Sequence, residues 1–173
     1  MTPALLGPDA RHLPELIQGG MGVAISDWRL ARATARAGAL GVVSGTALDQ
    51  VLARRLQDGD PDGDVRRALE AFPEPAVAER VWQRFYIEGG KAAHASYVTL
   101  PLLTTTMTRD QAQLCVVANF VEVWLARRGH HGVIGINYLE KIQTPHLPSI
   151  YGALLAGVDV VLMGAGIPLR IPG

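Results

Sequence analysis

The chain has a single cysteine, few aromatics (6%), no net formal charge and no long uninterrupted apolar run. Each shortage excludes something. A lone thiol, Cys115, can build neither a disulfide framework nor a cysteine-ligated metal site. Sixteen basic residues against sixteen acidic ones give no electrostatic reason to expect nucleic acid or an anionic membrane as partner. The stretch from Gly152 to Ile167 is broken by glycines and Asp159 and is too short to cross a bilayer. Residues 1–16 lack the basic and apolar regions of a secretory signal. With 49% hydrophobic and only 18% charged residues, the 173-residue chain is also too apolar for disorder and long enough to bury one good core. The expectation is a cytoplasmic domain in a reducing setting, with no membrane or nucleic-acid partner.

Glycine is abundant, at 19 residues, and its placement is informative. Short apolar runs bounded by glycine alternate with longer segments of helical periodicity, the signature of βα units and a parallel sheet. Four runs read as strands: Glu15–Gln18, Ala39–Gly45, Gly132–Asn137 and Val158–Gly164. Each is nearly all apolar, as expected of strands covered on both faces. Between the first two, Ser26 is the expected N-cap of a helix over Asp27–Ala37 that Gly38 ends. Thr108 and Gln111 fit a capping box opening a helix to Arg128, with Leu114, Val117, Ala118, Val121 and Leu125 on its sheet-facing side and Cys115 in the core. A last helix is expected from Pro148 to Gly157. Residues 46–106 break this rhythm and read as an insertion carrying helices over Leu48–Leu56, Val65–Phe72 and Ala76–Phe85.

Three local signals have plainer readings than the chemistry they suggest. Asp58 to Asp64 imitates the first half of a calcium loop, but the twelfth position is Leu69 where a bidentate Glu is needed, so a polar turn with Asp64 as N-cap is expected. His130 and His131 follow a helix end and are better placed to cap it than to bind metal. Trp28, Trp82 and Trp124 sit at helical spacing from other apolar residues and are expected in the core or an interface.

Every expected strand runs into glycine or a small polar residue: Gly19-Gly20-Met21-Gly22, Ser44-Gly45, Asn137, and Gly164-Ala165-Gly166. Ligands of parallel α/β proteins sit at the carboxyl ends of strands, where glycine lets a flat or anionic group approach the backbone. Glycines are also common at such turns for purely conformational reasons. Neither a G-x-G-x-x-G nor a Walker-type loop is present.

The residues themselves resemble a known family. Ile17-Gln18-Gly19-Gly20-Met21-Gly22, followed about 20 residues later by Ala37-Gly38-Ala39-Leu40-Gly41-Val42-Val43-Ser44, resembles the opening of the nitronate monooxygenases, also called 2-nitropropane dioxygenases. Gly135-Ile136-Asn137-Tyr138-Leu139 is similar to that family's third strand and Gly157 to Gly166 to its fourth, while Tyr86 to Lys91 resembles what its longer-chain branch carries. The resemblance implies an FMN-dependent TIM-barrel enzyme that oxidises alkyl nitronates, a small-molecule substrate, with molecular oxygen. It implies that Gly20, Met21 and Gly22 lie against the flavin ring, that Asn137 hydrogen-bonds it, and that Ser44 and Gly45 line the same pocket. Lys141 and Gln143 could reach that mouth; without the family, Asn137 reads as a strand-end turn former and Lys141 as a solvated surface charge.

An eight-unit barrel needs about 250 residues, so the expected fold is the N-terminal half of a (β/α)8 barrel, with four parallel strands and the insertion after strand two. The family's catalytic histidine and phosphate-binding loops are then expected beyond residue 173, and none of His12, His94, His130, His131 or His146 aligns with the catalytic position. A half-barrel exposes two sheet edges and an apolar inner face, so a homo-oligomer is a possible state. Two alternatives stay open. One is a flavin-dependent enoyl-acyl-carrier-protein reductase of fatty-acid or polyketide synthesis; the other is an inactive half-barrel fragment or subunit.

Overall fold

The computed structural model describes residues 13–104, 106–142 and 144–167, so Gln143, His12 and the termini lie outside the described residues. The elements are α1 (Trp28–Arg36), β1 (Gly41–Ser44), α2 (Leu48–Gln57), α3 (Asp64–Glu70), α4 (Pro75–Phe85), α5 (Arg109–Arg127), β2 (Ile134–Leu139), α6 (His146–Leu155) and β3 (Val160–Gly164). The three strands form one parallel sheet in the order β1-β2-β3, with Ser44 beside Asn137 and Asn137 beside Leu162. This is a mixed α/β architecture.

The segment expected as a first strand contributes one parallel bridge, Ile17 to Leu40. The Gln18 N–H donates to the Leu40 carbonyl (3.0 Å) and the Leu40 N–H to the Leu16 carbonyl (2.8 Å). Pro14, which lacks an N–H, and the Gly19-Gly20 pair leave only four residues between strand breakers. The expectation that all strands are covered on both faces is corrected at β3. β1 is buried throughout, whereas no residue of β3 is buried and Val161 is exposed.

Helix α5 is the hub. Its capping box forms as expected, with Thr108 Oγ1 accepting from the Gln111 N–H and Gln111 Oε1 accepting from the Thr108 N–H. Leu114, Val117, Ala118, Val121 and Leu125 are buried, and so are Phe120 and Val123, because the insertion helices cover the side of α5 turned away from the sheet. Phe72 of the insertion meets Phe120 edge-on at 5.0 Å. Cys115 is buried in this core, and burial pushes its thiol up to about 12. The His130 ring accepts the Gly132 N–H at Nδ1 (3.0 Å), which leaves Nε2 to donate to the Ala126 carbonyl, so the histidine caps the end of α5.

Three helix starts differ from expectation. The N-cap of α1 is Asp27, whose carboxylate accepts from the Arg29 and Leu30 N–H groups, whereas Ser26 is drawn into the preceding loop. Asp60 rather than Asp64 caps α3, by accepting from Val65 (3.0 Å) and Arg66 (2.8 Å), because a left-handed Gly63 folds the loop back over the helix end. Helix α6 begins at His146, placing Pro148 within its first turn, where no intrahelical N–H is needed.

The described residues between 86 and 108 carry no helix or strand. The chain there is a strap tied to α2 by Gln57, whose backbone carbonyl accepts from Lys91 N–H and whose buried Oε1 accepts from Val98 N–H, both at 2.8 Å. Tyr97 donates its hydroxyl to Asp58 (2.8 Å), and the Arg54 and Lys91 cations lie over its ring. No helix among the described residues is long and apolar enough to cross a membrane.

Candidate functional site

The carboxyl ends of β1 and β2 gather most of the residues singled out in the sequence. Asn137 leaves β2 on the face opposite the buried Ile136 and Tyr138, because side chains alternate along a strand. Its Nδ2 donates to the Gly20 carbonyl at 3.1 Å and lies 3.4 Å from the Met21 sulfur. The Gly45 N–H donates to the Asn137 carbonyl (2.8 Å), and Ser44, buried beside Asn137, donates its N–H to the Ser26 carbonyl (2.9 Å). Gly20, Met21, Ser44, Gly45 and Asn137 therefore share one corner of the sheet.

Two glycines are required by close approach. A Cβ on Gly20 would meet Val42 Cγ1 at 2.5 Å and the Val43 carbonyl at 2.7 Å, so the turn can lie flat on β1 only without a side chain. A Cβ on Gly45 would sit 2.3 Å from the Tyr138 ring. Gly22 belongs to the same turn, with φ +77°, but its neighbour is Ile25 rather than Asn137. Lys141 is exposed in the turn after β2.

Two residues outside the expected set organise the loop. Gln18 Oε1 accepts from the Val42 N–H (3.0 Å) while its Nε2 donates to Ser26 Oγ (2.9 Å), and that hydroxyl also accepts from the Met21 N–H (3.1 Å). Gln18 thus continues the sheet with its side chain where the backbone has left it. Its polarity at the end of an apolar run was the available signal.

Around the corner Met21, Val23 and Ile25 are exposed on the loop, and Gly164 of β3 lies beside Asn137 Oδ1. The perturbed titrating groups lie elsewhere. Burial raises Tyr138, whose hydroxyl donates to Asn119 Oδ1 (2.8 Å) on the far face of the sheet, and burial likewise raises Asp49. Such groups stay neutral or cost stability. Among the described residues, no group of three or more His, Cys, Asp or Glu side chains could hold a metal. A groove of about 330 Å³ lies between α4 and α5, lined by Val81, Phe85 and Leu114 with Arg80, Arg84 and Asp110.

No protein-family model matches the chain, no curated protein matches it, and no solved structure matches it. The site's geometry and the sequence resemblance are what bear on function.

Proposed function

We propose that the chain is the N-terminal half of a (β/α)8 barrel of nitronate monooxygenase type, an FMN-dependent oxidoreductase that oxidises alkyl nitronates with molecular oxygen. The observation that carries this reading is the bond from Asn137 to the Gly20 carbonyl, which brings together the two motifs on which the resemblance rests, 117 residues apart in sequence. The residues suit a flavin ring. An isoalloxazine needs a flat seat and a few polar groups along its pyrimidine edge. Gly20 keeps the seat flat, Met21 offers a polarisable apolar contact, and Asn137 Oδ1 is an acceptor of the kind the ring's N3–H requires.

FMN would supply the redox chemistry, passing electrons between nitronate and oxygen. This chain's part is to bind and orient the ring at the ends of β1 and β2, with Gln18 and Ser26 holding the glycine turn in place. The test is the visible spectrum of the complete gene product that carries this chain, titrated with FMN, followed by oxygen uptake on adding an alkyl nitronate. Bound flavin should show a structured band and altered fluorescence, and Asn137→Ala should weaken binding about tenfold, the worth of one hydrogen bond of about 1.4 kcal/mol. A complete gene product that folds but shows no flavin band at 100-fold excess FMN overturns the reading, whereas absence of the band in the 173-residue chain alone agrees with a half that lacks the phosphate loops.

A further inference from the structure

We propose that the groove between α4 and α5 binds a small monoanionic amphiphile, a medium-chain carboxylate whose head meets Arg80 and Arg84 and whose chain lies on the apolar floor. The proposal is independent of the flavin reading above. Both walls lie within the described residues, and neither is a sheet edge or a face of α6, along which a longer barrel would continue.

The groove follows from the spacing along α4. Val77, Val81 and Phe85 recur every fourth residue as one buried stripe, and Arg80 and Arg84 keep the same spacing one residue earlier, so the two guanidinium groups run alongside it. Leu114 closes the floor from α5. The Arg84 guanidinium lies 5.2 Å from the centre of the Phe85 ring, which holds the cation over apolar surface. Apolar walls with a few convergent polar groups are the make-up of a small-molecule site, and 330 Å³ is at the small end of the volumes such sites have.

Charge selects the occupant. Arg55, Arg66 and Arg67 of the insertion each meet a carboxylate, on Glu122, Glu70 and Asp64 respectively. Arg80 instead donates from Nη2 to the neutral Gln113 Oε1 (3.0 Å), and among the described residues no carboxylate pairs with it. Asp110, the acidic residue of the groove, lies 3.7 Å from Arg84 with its side chain 71% exposed, an arrangement worth little in water. Two guanidinium charges against one carboxylate leave a single positive charge over, which a monoanion balances and a phosphate dianion exceeds. The planar fork of arginine suits a carboxylate head. At roughly 30 Å³ per non-hydrogen atom, the room a water molecule takes in the liquid, the groove holds about eleven such atoms, and an eight-carbon carboxylate has about ten.

Equilibrium dialysis of octanoate against the complete gene product that carries this chain tests this. One octanoate per chain should bind with a dissociation constant on the order of 0.1 mM, the modest affinity that about ten atoms allow. Arg80→Gln and Arg84→Gln should each weaken binding about tenfold. Both side chains are exposed, so the far-UV circular dichroism should be unchanged. Octanol, which keeps the chain and lacks the charge, should bind at least about tenfold more weakly, a comparison that needs no variant. Saturating FMN should leave octanoate bound. No binding at about 10 mM octanoate overturns the proposal, as does a double variant that binds octanoate as well as the unaltered protein, or octanol that binds as tightly as octanoate. Displacement of octanoate by FMN would put it at the strand ends and overturn the proposal too. Octyl phosphate bound more tightly than octanoate would refute the monoanion balance and with it the choice of ligand.

Discussion

Glu122 is a buried carboxylate, 3% exposed in its side chain, and it joins three parts of the chain. Its Oε1 accepts the Trp28 N–H at 2.8 Å, closing the first backbone donor of α1, which no residue of that helix can reach. Both oxygens receive the Arg55 guanidinium from α2, whose side chain is 22% exposed and also lies 3.7 Å from Asp27. Removing one partner of such a pair strands the other charge, which costs about 3–5 kcal/mol when burial is complete. The remaining Asp27 and the partial exposure of Arg55 put Glu122→Ala at the lower end, about 3 kcal/mol. Glu122→Gln keeps an acceptor for Trp28 and loses only the charge, about 1.5 kcal/mol. At 2–4 °C per kcal/mol for a chain of this size, the alanine variant should melt about 6–12 °C lower. Urea unfolding followed by tryptophan fluorescence, at fixed protein concentration, measures both differences provided the slope m is unchanged. An alanine variant within about 1 kcal/mol of the unaltered chain, or glutamine costing as much as alanine, would refute the role assigned to this carboxylate.

The Cys115 thiol carries a pH signature, because burial lifts it from near 9 to about 12. Between those values the unfolded chain loses a proton that the folded chain keeps, so stability should fall as pH rises, by up to about 1.4 kcal/mol per unit. Below pH 9 the thiol makes no difference. Comparing the unaltered chain with Cys115→Ala in urea at pH 8 and pH 10.5 isolates it, since Tyr138 titrates in both; a parallel pH dependence would show that the thiol is not buried. Asp60→Ala removes the two backbone bonds that cap α3 and should cost about 1 kcal/mol, whereas Asp64→Ala leaves that cap in place. Equal losses from the two, by the same unfolding assay, would restore Asp64 as the cap.

Features written within one turn of chain were legible in the sequence. The Thr108–Gln111 box, the three insertion helices and the His130 cap depend on neighbours a few residues away, and the structure has them where the spacing put them. Cap assignments failed where a longer-range partner took the side chain. Ser26 is the commoner type of cap, but its hydroxyl is held by Gln18 and Met21, so Asp27 serves. Asp60 reaches α3 only because of the loop geometry at Gly63. Strand four read as doubly covered from its apolar run, since hydrophobicity reports what a strand can tolerate rather than what lies on it. Of the site, Gly20, Met21, Ser44, Gly45 and Asn137 were legible as strand ends, while Gln18 offered only its polarity at the end of an apolar run. Glu122 was not legible, because its partners lie 67 and 94 residues away.

The clasp that Gln57 makes on the strap bears on how the insertion moves. Amides of a loop without secondary structure ordinarily exchange with solvent one by one, each on its own local fluctuation. Here Lys91 and Val98 hang from one glutamine, and the Ile87 N–H from the adjacent Leu56 carbonyl (3.2 Å), so none of the three is released without disturbing the same turn of α2. The strap therefore opens as one cooperative unit, and protease access to residues 87–98 is set by the stability of the end of α2 rather than by the looseness of the segment itself.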